Sequence, residues 1–265
     1  MLHGLVVLPV LFASPTLVSS SLCYVCENDF TLNYTVTAAT VPSFSQCQLN
    51  NAAICWITVM WNRNTNTSSI LVDSIDIPST DDTVDKIITA IAEMKIASRH
   101  QIPQVSYMLS FVCLTDKCND ELTLKRILHS LVISENFAEK LTSLLQIVSP
   151  FIPQSAACYE RMDSTEDCPR TDPSTCQRCQ ISVDKQSSSS QRICASCLHH
   201  SDDTNLLSRQ VMFSLNTRTQ MHNMAKISCQ LKTCNSLKNI ERVYTESKIQ
   251  FDLEAFFSTS SDDSI

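Results

Sequence analysis

The chain has 265 residues, a net charge of −7, 14 cysteines and a single glycine, Gly4. The basic residues are scattered and outnumbered by acidic ones, which argues against nucleic acid or an anionic membrane as the main partner. Phosphate loops, dinucleotide fingerprints, nucleophile elbows and calcium loops need glycine for positive φ or close backbone approach, so the sequence excludes these motifs.

The N-terminal segment, residues 1–20, has the features of a secretion signal. Residues 2–12 are almost wholly apolar and small residues follow them, a pattern typical of a signal peptide that is removed during export. The stretch is too short for a comfortable membrane span, which needs about 20 apolar residues. We therefore expect a secreted, extracellular protein without membrane insertion after signal removal. Sequons predict N-linked glycans at Asn33 and Asn66.

A first cysteine module is predicted over residues 21–119, and it begins with strands. Residues 22–26 and 54–61 are rich in β-branched and aromatic side chains, and residues 70–77 alternate between apolar and polar. These patterns predict strands, with residues 62–67 as the loop tip between the second and the third. In an oxidising compartment the cysteines in these strands are expected to pair.

The period of the apolar residues changes over residues 83–98. The apolar side chains there fall on one helical face, with a capping sequence before them, and we expect a helix. Residues 107–113 return to a strand. They lead into the closing motif Cys113-Leu-Thr-Asp-Lys-Cys118-Asn119.

A helical linker is predicted over residues 120–157. Two apolar faces at helical spacing occupy residues 121–148, and prolines follow. Such helices pack on their own domain or bridge two domains. A partner-binding or membrane-surface helix is less favoured, because the polar face is not strongly basic.

A second cysteine module is predicted over residues 158–235, and it repeats the first loosely. Cys179-Gln-Ile-Ser-Val183 echoes Cys55-Trp-Ile-Thr-Val59, and Cys229-Gln-Leu-Lys-Thr-Cys234-Asn235 repeats the closing motif 116 residues later (229 − 113). Strands are expected at 209–215 and 224–229. A helix follows, as it follows the first copy, within a segment 236–265 that ends in an acidic tail, which we expect to be disordered. The chain is therefore predicted to contain a duplicated, disulfide-built module.

The cysteine pattern of the first half resembles that of the lymphocyte antigen 6/urokinase receptor superfamily. The residues that carry the resemblance are Cys23-Tyr-Val-Cys26, Cys47, Cys55-Trp-Ile-Thr58 and Cys113-x4-Cys118-Asn119. The resemblance implies a three-finger fold, in which β-hairpin loops leave a disulfide-stapled palm. The expected fold class is mainly β and disulfide-rich, as tandem three-finger-like modules with added α-helices between and after them. The chain departs from the family at Val112 and Ser228, where a cysteine is usual.

The resemblance also implies disulfide pairs, and it gives Asn119 and Asn235 the role of hydrogen-bonding back into the palm. The implied pairs are Cys23–Cys55, Cys26–Cys47, Cys113–Cys118, Cys158–Cys179 and Cys229–Cys234. Four cysteines remain, whose connectivity the sequence leaves open. For them we assign Cys176–Cys194 and Cys168–Cys197.

Two other functions are consistent with parts of the second half. Cys176-x2-Cys179 and Cys194-x2-Cys197 have a spacing that suits tetrahedral zinc, so an extracellular zinc-holding domain is the first alternative. Disulfides are favoured there, because the other cysteines also need partners. The second alternative is a secreted hydrolase that uses His199 and His200, which lie in a polar stretch without regular spacing. We expect neither metal nor cofactor, and no enzymatic activity, because an even number of cysteines leaves no obvious free thiol as a nucleophile.

Protein–protein binding is the function that the resemblance implies, with an extracellular receptor, channel or ligand as the partner. The finger tips are expected to make the contact, at 62–68 and 185–192, because loops on a rigid scaffold are where function usually lies. The candidate contact residues are Trp61, Asn62, Arg63 and Asn64. Trp56, next to a cysteine, is expected in the core, whereas Trp61 fits either core or contact.

Overall fold

The mainly β, disulfide-rich fold class is confirmed by a computed structural model of the chain. The structure describes residues 20–76, 86–97, 102–146, 158–162, 168, 176, 178–185, 191–198, 204–231 and 234–258. Residues 1–19 of the predicted signal peptide, His199, His200 and residues 259–265 of the predicted tail lie outside these ranges.

The first half consists of seven strands followed by a segment that is partly helical. The strands are β1 (Ser21–Val25), β2 (Phe30–Leu32), β3 (Gln48–Ala52), β4 (Ile54–Asn62), β5 (Thr67–Ile75), β6 (Lys86–Ile96) and β7 (Gln104–Cys113), with a short 3-10 helix at Ala38–Thr40. After them come α1 (Glu121–Ser130), β8 (Leu131–Glu135), α2 (Phe137–Lys140) and α3 (Thr142–Leu145).

The second half repeats much of this order. Its elements are β9 (Arg161–Met162), β10 (Arg178–Lys185), β11 (Gln191–Leu198), β12 (Asn205–Ser214), β13 (Thr219–Cys229), α4 (Leu237–Thr245), β14 (Ser247–Phe251) and α5 (Leu253–Ser258). Each long helix begins directly after a closing motif and has a side-chain cap. Asp120 accepts a hydrogen bond from the Thr123 N–H at 2.7 Å, and Ser236 accepts one from the Asn239 N–H at 3.4 Å.

Both halves share one ten-stranded antiparallel sheet, in the order β2-β5-β4-β7-β6-β12-β13-β10-β11-β9. The halves meet where β6 pairs with β12 over ten residue pairs, from Ile87↔Ser214 to Ile96↔Asn205. The strand order on one side of this junction mirrors the order on the other. Outward from the junction, β6, β7, β4, β5 and β2 correspond to β12, β13, β10, β11 and β9. The two predicted modules are therefore one continuous sheet and not two separate β units.

A pseudo-twofold axis relates the two halves. Met108 and Met224 each lie five residues before a closing cysteine (113 − 108 and 229 − 224), and they pair with Ile91 and Gln210 respectively. Ile91 and Gln210 also pair with each other, as two equivalent residues do on a twofold axis.

The same axis passes through a second, two-stranded sheet formed by β8 and β14. Ile133 pairs with Ile249, which lies 116 residues later (249 − 133), the separation of the two closing motifs. The strand that follows each long helix thus crosses over to pair with its counterpart from the other half.

The large sheet has one covered face and one open face. The covered face packs under α1, α4 and the small sheet, and alternate residues of its strands are 0 or 1% exposed. These are Ile57, Val59, Ile70, Val72, Ile88, Ala90, Ala92, Met94, Leu109, Phe111, Ile181, Val183, Leu207, Val211, Ala225 and Ile227. The open face carries the intervening residues of the same strands, most of which are partly exposed.

The predicted helix at 83–98 is wrong, because residues 86–96 form strand β6. The same residues also alternate, with Ile88, Ala90, Ala92, Met94 and Ile96 buried on the covered face. A segment rich in isoleucine favours the pleated, half-buried surface of a central strand. The alternation therefore prevails over the helical spacing.

The predicted helical linker is correct for α1 and for the short helices α2 and α3, and wrong for the residues between α1 and α2. It forms α1 up to Ser130, and then residues 131–135 form strand β8. Leu131, Val132 and Ile133 include two β-branched residues, and they pair with β14 from the far end of the chain. The segment is thus part of the core, and the region predicted as helix and tail likewise contributes β14 and α5.

All fourteen cysteines are bridged, and five of the bridges are the pairs that the resemblance implies. These are Cys23–Cys55, Cys26–Cys47, Cys113–Cys118, Cys158–Cys179 and Cys229–Cys234.

The other two assigned pairs, Cys176–Cys194 and Cys168–Cys197, are wrong. The structure pairs Cys168 with Cys194 and Cys176 with Cys197, at Cα–Cα distances of 5.4 and 5.5 Å. Cys194 and Cys197 are three residues apart on β11, so their side chains point to opposite faces of the sheet. Cys197 pairs across the strands with the buried Cys179, and Cys176 lies on that side.

Candidate protein-binding surface

One buried asparagine in each half holds the palm of that half in place. Asn119 Nδ2 donates to the Tyr24 carbonyl at 2.8 Å, and Asn119 Oδ1 accepts from the Tyr24 N–H at 2.9 Å. Asn235 makes the same pair of bonds with Tyr159, at 2.7 and 3.1 Å. Both asparagines have no exposed surface. They occupy the position that the resemblance implies, and they provide a rigid base for the loops.

The tip of the first half is the turn that joins β4 to β5. Asn62 Oδ1 accepts hydrogen bonds from the N–H groups of Asn64 and Thr65 at 3.0 and 3.3 Å. Asn66 has a φ of 54°, a left-handed conformation that asparagine tolerates better than most residues. Asparagines thus close a turn where many proteins use glycine, in a chain that has a single glycine at position 4.

The tip is tied to the beginning of β7. The Arg63 N–H donates to the Val105 carbonyl at 3.0 Å, and the Val105 N–H donates to Asn64 Oδ1 at 2.8 Å. Asn64 Nδ2 also donates to the Pro103 carbonyl at 3.0 Å. Hydrogen bonds therefore hold the tip in one conformation: the Asn62 side chain bonds within the turn, and the Asn64 side chain bonds to the beginning of β7 and the residue before it.

Trp61 belongs to the core, so its place among the predicted contact residues is wrong. Its side chain is 8% exposed and its Nε1 donates to the Val36 carbonyl at 3.0 Å. The alternation along β4 puts Trp61 on the covered face and Trp56 on the open face. Trp56, which was expected in the core, is the partly exposed tryptophan of the two.

Arg63 takes part in a charged cluster beneath the tip. Its Nη1 pairs with Glu135 Oε1, and the Tyr107 hydroxyl donates to the same oxygen at 3.0 Å. The Phe137 N–H donates to the other carboxylate oxygen. The Glu135 side chain has no exposed surface, whereas that of Arg63 is 56% exposed. The carboxylate is thus fully enclosed by donors, while the guanidinium still faces solvent.

The cluster raises two pKa values. Burial, assisted by the negative charge of Glu135, raises the pKa of Tyr107 to about 12. The pKa of Arg63 is also raised, through its interactions with Tyr107 and Glu135. Both shifts favour the neutral tyrosine and the charged arginine at neutral pH. The cluster is therefore a stable ion pair with a hydroxyl donor and not a set of groups poised to exchange protons.

A cleft of about 430 Å³ opens beside the tip. Its walls include Arg63, Asn64, Ile102, Pro103, Glu135 and Thr142. The Ile102 side chain is 78% exposed, the most exposed of the large hydrophobic residues in the described ranges. We refer to this cleft together with Ile102 as the tip cleft. It combines an apolar side chain with fixed polar groups, which suits binding.

The second half does not reproduce the tip cleft. The residue equivalent to Glu135, 116 positions later, is Phe251, so the buried carboxylate is absent there. The predicted tip at 185–192 is described only at its two ends. Lys185 Nζ lies 3.8 Å from the centre of the Tyr244 ring and 3.3 Å from Glu241. Arg192 is exposed.

The zinc alternative does not fit the sulfur chemistry of the structure. Cys176, Cys179, Cys194 and Cys197 belong to three different disulfides, so none is available as a thiolate ligand. The sulfurs of Cys158, Cys176 and Cys197 do lie within 4.8 Å of one another. That closeness reflects two neighbouring bridges in the palm. The histidines of the hydrolase alternative lie outside the described residues.

No family model, curated protein or solved structure matches this chain. The superfamily resemblance therefore stays a prediction. Within the described part of the chain, none of the helices has the length and apolar content needed to cross a membrane.

The tip cleft depends on residues that sequence reasoning did not single out. Tyr107, Ile102 and Glu135 come from two segments that are distant along the chain from the tip. The sequence pattern contains no signal that would bring them beside Arg63, because the β8–β14 pairing that positions Glu135 is a long-range contact.

Proposed function

We propose that the protein is a secreted, non-catalytic binding protein whose tip cleft engages an extracellular protein, such as a receptor, channel or ligand. The observation that carries the proposal is the exposed Ile102 beside a tip that internal hydrogen bonds hold in one conformation. Clefts that combine apolar side chains with a few fixed polar groups are typical of binding sites. Secretion and the absence of catalysis belong to the same proposal.

A rigid tip supports tight binding because little conformational entropy is lost on association. The tip is fixed by its bonds to Val105 and Pro103 and by the pair between Arg63 and Glu135. Ile102 would insert into a pocket of the partner as the central apolar anchor. The exposed part of the Arg63 guanidinium would add a charged contact at its edge, in the way that interfaces combine an apolar centre with a polar rim.

The two predicted glycans would lie near this surface. The Thr35 hydroxyl, in the sequon of Asn33, donates to Asn66 Oδ1 at 2.6 Å, so the two sequons are neighbours at the corner next to the tip. Asn33 and Asn66 are both exposed. Glycans attached there would limit the directions from which a partner approaches the tip cleft.

The experiment compares capture of extracellular partners by the secreted protein and by two variants. Ile102→Asp places a charge at the centre of the proposed contact. Val132→Asp is the matched control, because Val132 is also an exposed apolar residue, at 49%, and lies outside the cleft. We expect a partner that binds wild type and Val132→Asp but loses at least about tenfold in affinity for Ile102→Asp. Equal affinity for all three proteins would contradict the proposed site.

A further inference from the structure

The open face of the ten-stranded sheet carries a continuous apolar patch. Across-strand pairs align Met60, Met108, Ile91, Gln210 and Met224 in one row through the pseudo-twofold axis. We call this the central row. Met60 is 50% exposed and the other four are partly exposed. The neighbouring rows add Trp56, Val112, Ile87, Leu71 and Met212, with threonine and serine between them.

The composition of the patch is that of an interface. The five residues of the central row are uncharged and three of them are methionine; Asp184 continues this row beyond Met224, and Glu93 and Lys226 lie in the adjacent row. Interfaces are enriched in methionine and depleted of charge at their centres, with charged residues on the rim. The charged groups of this face lie at the β10 end of the central row and in the rows on either side of it. They are Asp73, Glu93, Lys95, Asp184, Arg192 and Lys226, with His222 paired to Asp184 at 2.7 Å.

The open face as a whole, including its charged positions, is large enough for a stable dimer. Seven strands from β5 to β10, at a spacing of about 4.8 Å, give a width of about 34 Å, and the span from Ile87 to Lys95 gives a length of about 27 Å. The face therefore offers about 900 Å², compared with about 800 Å² per partner in a typical specific interface.

The rim charges differ between the two halves. The first half has Asp73 and Glu93 against Lys95, which pairs with Glu93 at 2.6 Å, and the second half has Lys226 and Arg192 against Asp184. The first half of the face is thus more acidic and the second more basic. Glu93 and Lys226 lie in the same row, on either side of Ser208. Two copies placed with the first half of one over the second half of the other bring opposite charges together.

We propose that two copies of this protein pack their open faces together as a β-sandwich, with each first half over the second half of the other copy. Sheets pack face to face at about 10 Å with nearly aligned strands, and a twofold axis parallel to the strands gives this arrangement. Met108 of one copy then lies against Met224 of the other. The tip cleft is on the covered side, so both clefts remain outside the dimer interface.

The experiment measures the mass of the secreted, glycosylated protein by analytical ultracentrifugation from nanomolar to high micromolar concentration, with no partner present. We expect a dimer. Ile91→Asp and Met108→Asp should each raise the dimer dissociation constant about a hundredfold, because each buries a carboxylate that has no cation beside it in its own sheet. Val132→Asp, an exposed site on the small sheet, should leave the constant unchanged. Near-ultraviolet circular dichroism identifies any variant that has lost its fold.

A charge swap tests the arrangement of the two copies. Glu93→Lys and Lys226→Glu should each weaken the dimer, and the double variant should restore it, which a purely structural effect would not do. A wild-type monomer at all concentrations would overturn the proposal. A dimer whose dissociation constant is unchanged in both central-row variants would also overturn it. The same holds if the double charge-swap variant dimerises no more tightly than either single variant. These measurements need no binding partner and concern the open face, whereas the tip cleft lies on the covered side. Their outcome is therefore separate from that of the tip-cleft experiment.

Discussion

Replacing Glu135 by alanine is expected to destabilise the protein strongly. The carboxylate has no exposed surface and accepts from Arg63, the Tyr107 hydroxyl and the Phe137 N–H. Glu135→Ala removes the acceptor of a buried donor, the Phe137 N–H, and of a partly buried one, the Tyr107 hydroxyl. Hydrogen bonds to charged groups contribute about 1.5–3 kcal/mol each, and breaking a buried pair by removing one partner costs about 3–5 kcal/mol.

The cost of Glu135→Ala should lie at the lower end of this range. The Arg63 guanidinium is 56% exposed, so water can hydrate it once the carboxylate is gone. We therefore expect Glu135→Ala to lower the free energy of unfolding by about 3 kcal/mol. Arg63→Ala should have an effect of similar size, about 3 kcal/mol, because it leaves the enclosed Glu135 carboxylate without its cation and with two neutral donors. Glu135→Gln should lie between wild type and Glu135→Ala, since the amide oxygen still accepts a hydrogen bond.

The assay is urea unfolding with the disulfides intact, followed by tryptophan fluorescence, since Trp61 lies in the adjoining core. Glu139→Ala is the control, because that carboxylate is 73% exposed and its removal should leave the midpoint unchanged. A Glu135→Ala variant within about 0.5 kcal/mol of wild type, the range of ordinary surface substitutions, would refute the account of the cluster.

Three other outcomes are expected. In an alkaline absorbance titration, Tyr107→Phe should remove a tyrosine component that titrates near pH 12; since the folded pKa is raised, the stability that Tyr107 contributes is present below about pH 10 and is lost as the pH rises towards 12. Asn119→Ala and Asn235→Ala should each lower the free energy of unfolding by about 3 kcal/mol, measured in urea, because each leaves buried backbone groups of the palm unpaired; an unchanged midpoint would contradict this. Peptide mapping of the unreduced protein should yield a fragment pair joined by Cys168 and Cys194, and a Cys168–Cys197 pair would contradict the structure.

The sequence predicted the elements whose signals are local. Strands 54–61 and 70–77 were indicated by alternation and β-branched residues, and helix α1 by its cap and apolar spacing. The closing motifs indicated where each half ends. These signals lie within a few residues of one another, so they do not depend on the rest of the chain.

The remaining features depend on long-range contacts. The residues of β6 satisfied both a helical and a strand pattern, and only their position between β7 and β12 decides the outcome. Trp56 and Trp61 are five positions apart on one strand, so their side chains point to opposite faces of the sheet. Which of the two faces is covered depends on the rest of the chain and is not encoded in the strand itself. Glu135 could not be predicted as part of the tip cleft because β14 positions it from the other end of the chain.

The central pairing of β6 with β12 has a consequence for the origin of the chain. Two equivalent strands that pair antiparallel about a pseudo-twofold axis are arranged as they would be in a symmetric dimer of a single-module ancestor. Gene duplication and fusion would have turned that intermolecular contact into an intramolecular one. After fusion each copy no longer had to be identical, which allowed one half to keep or acquire a buried carboxylate where the other has phenylalanine.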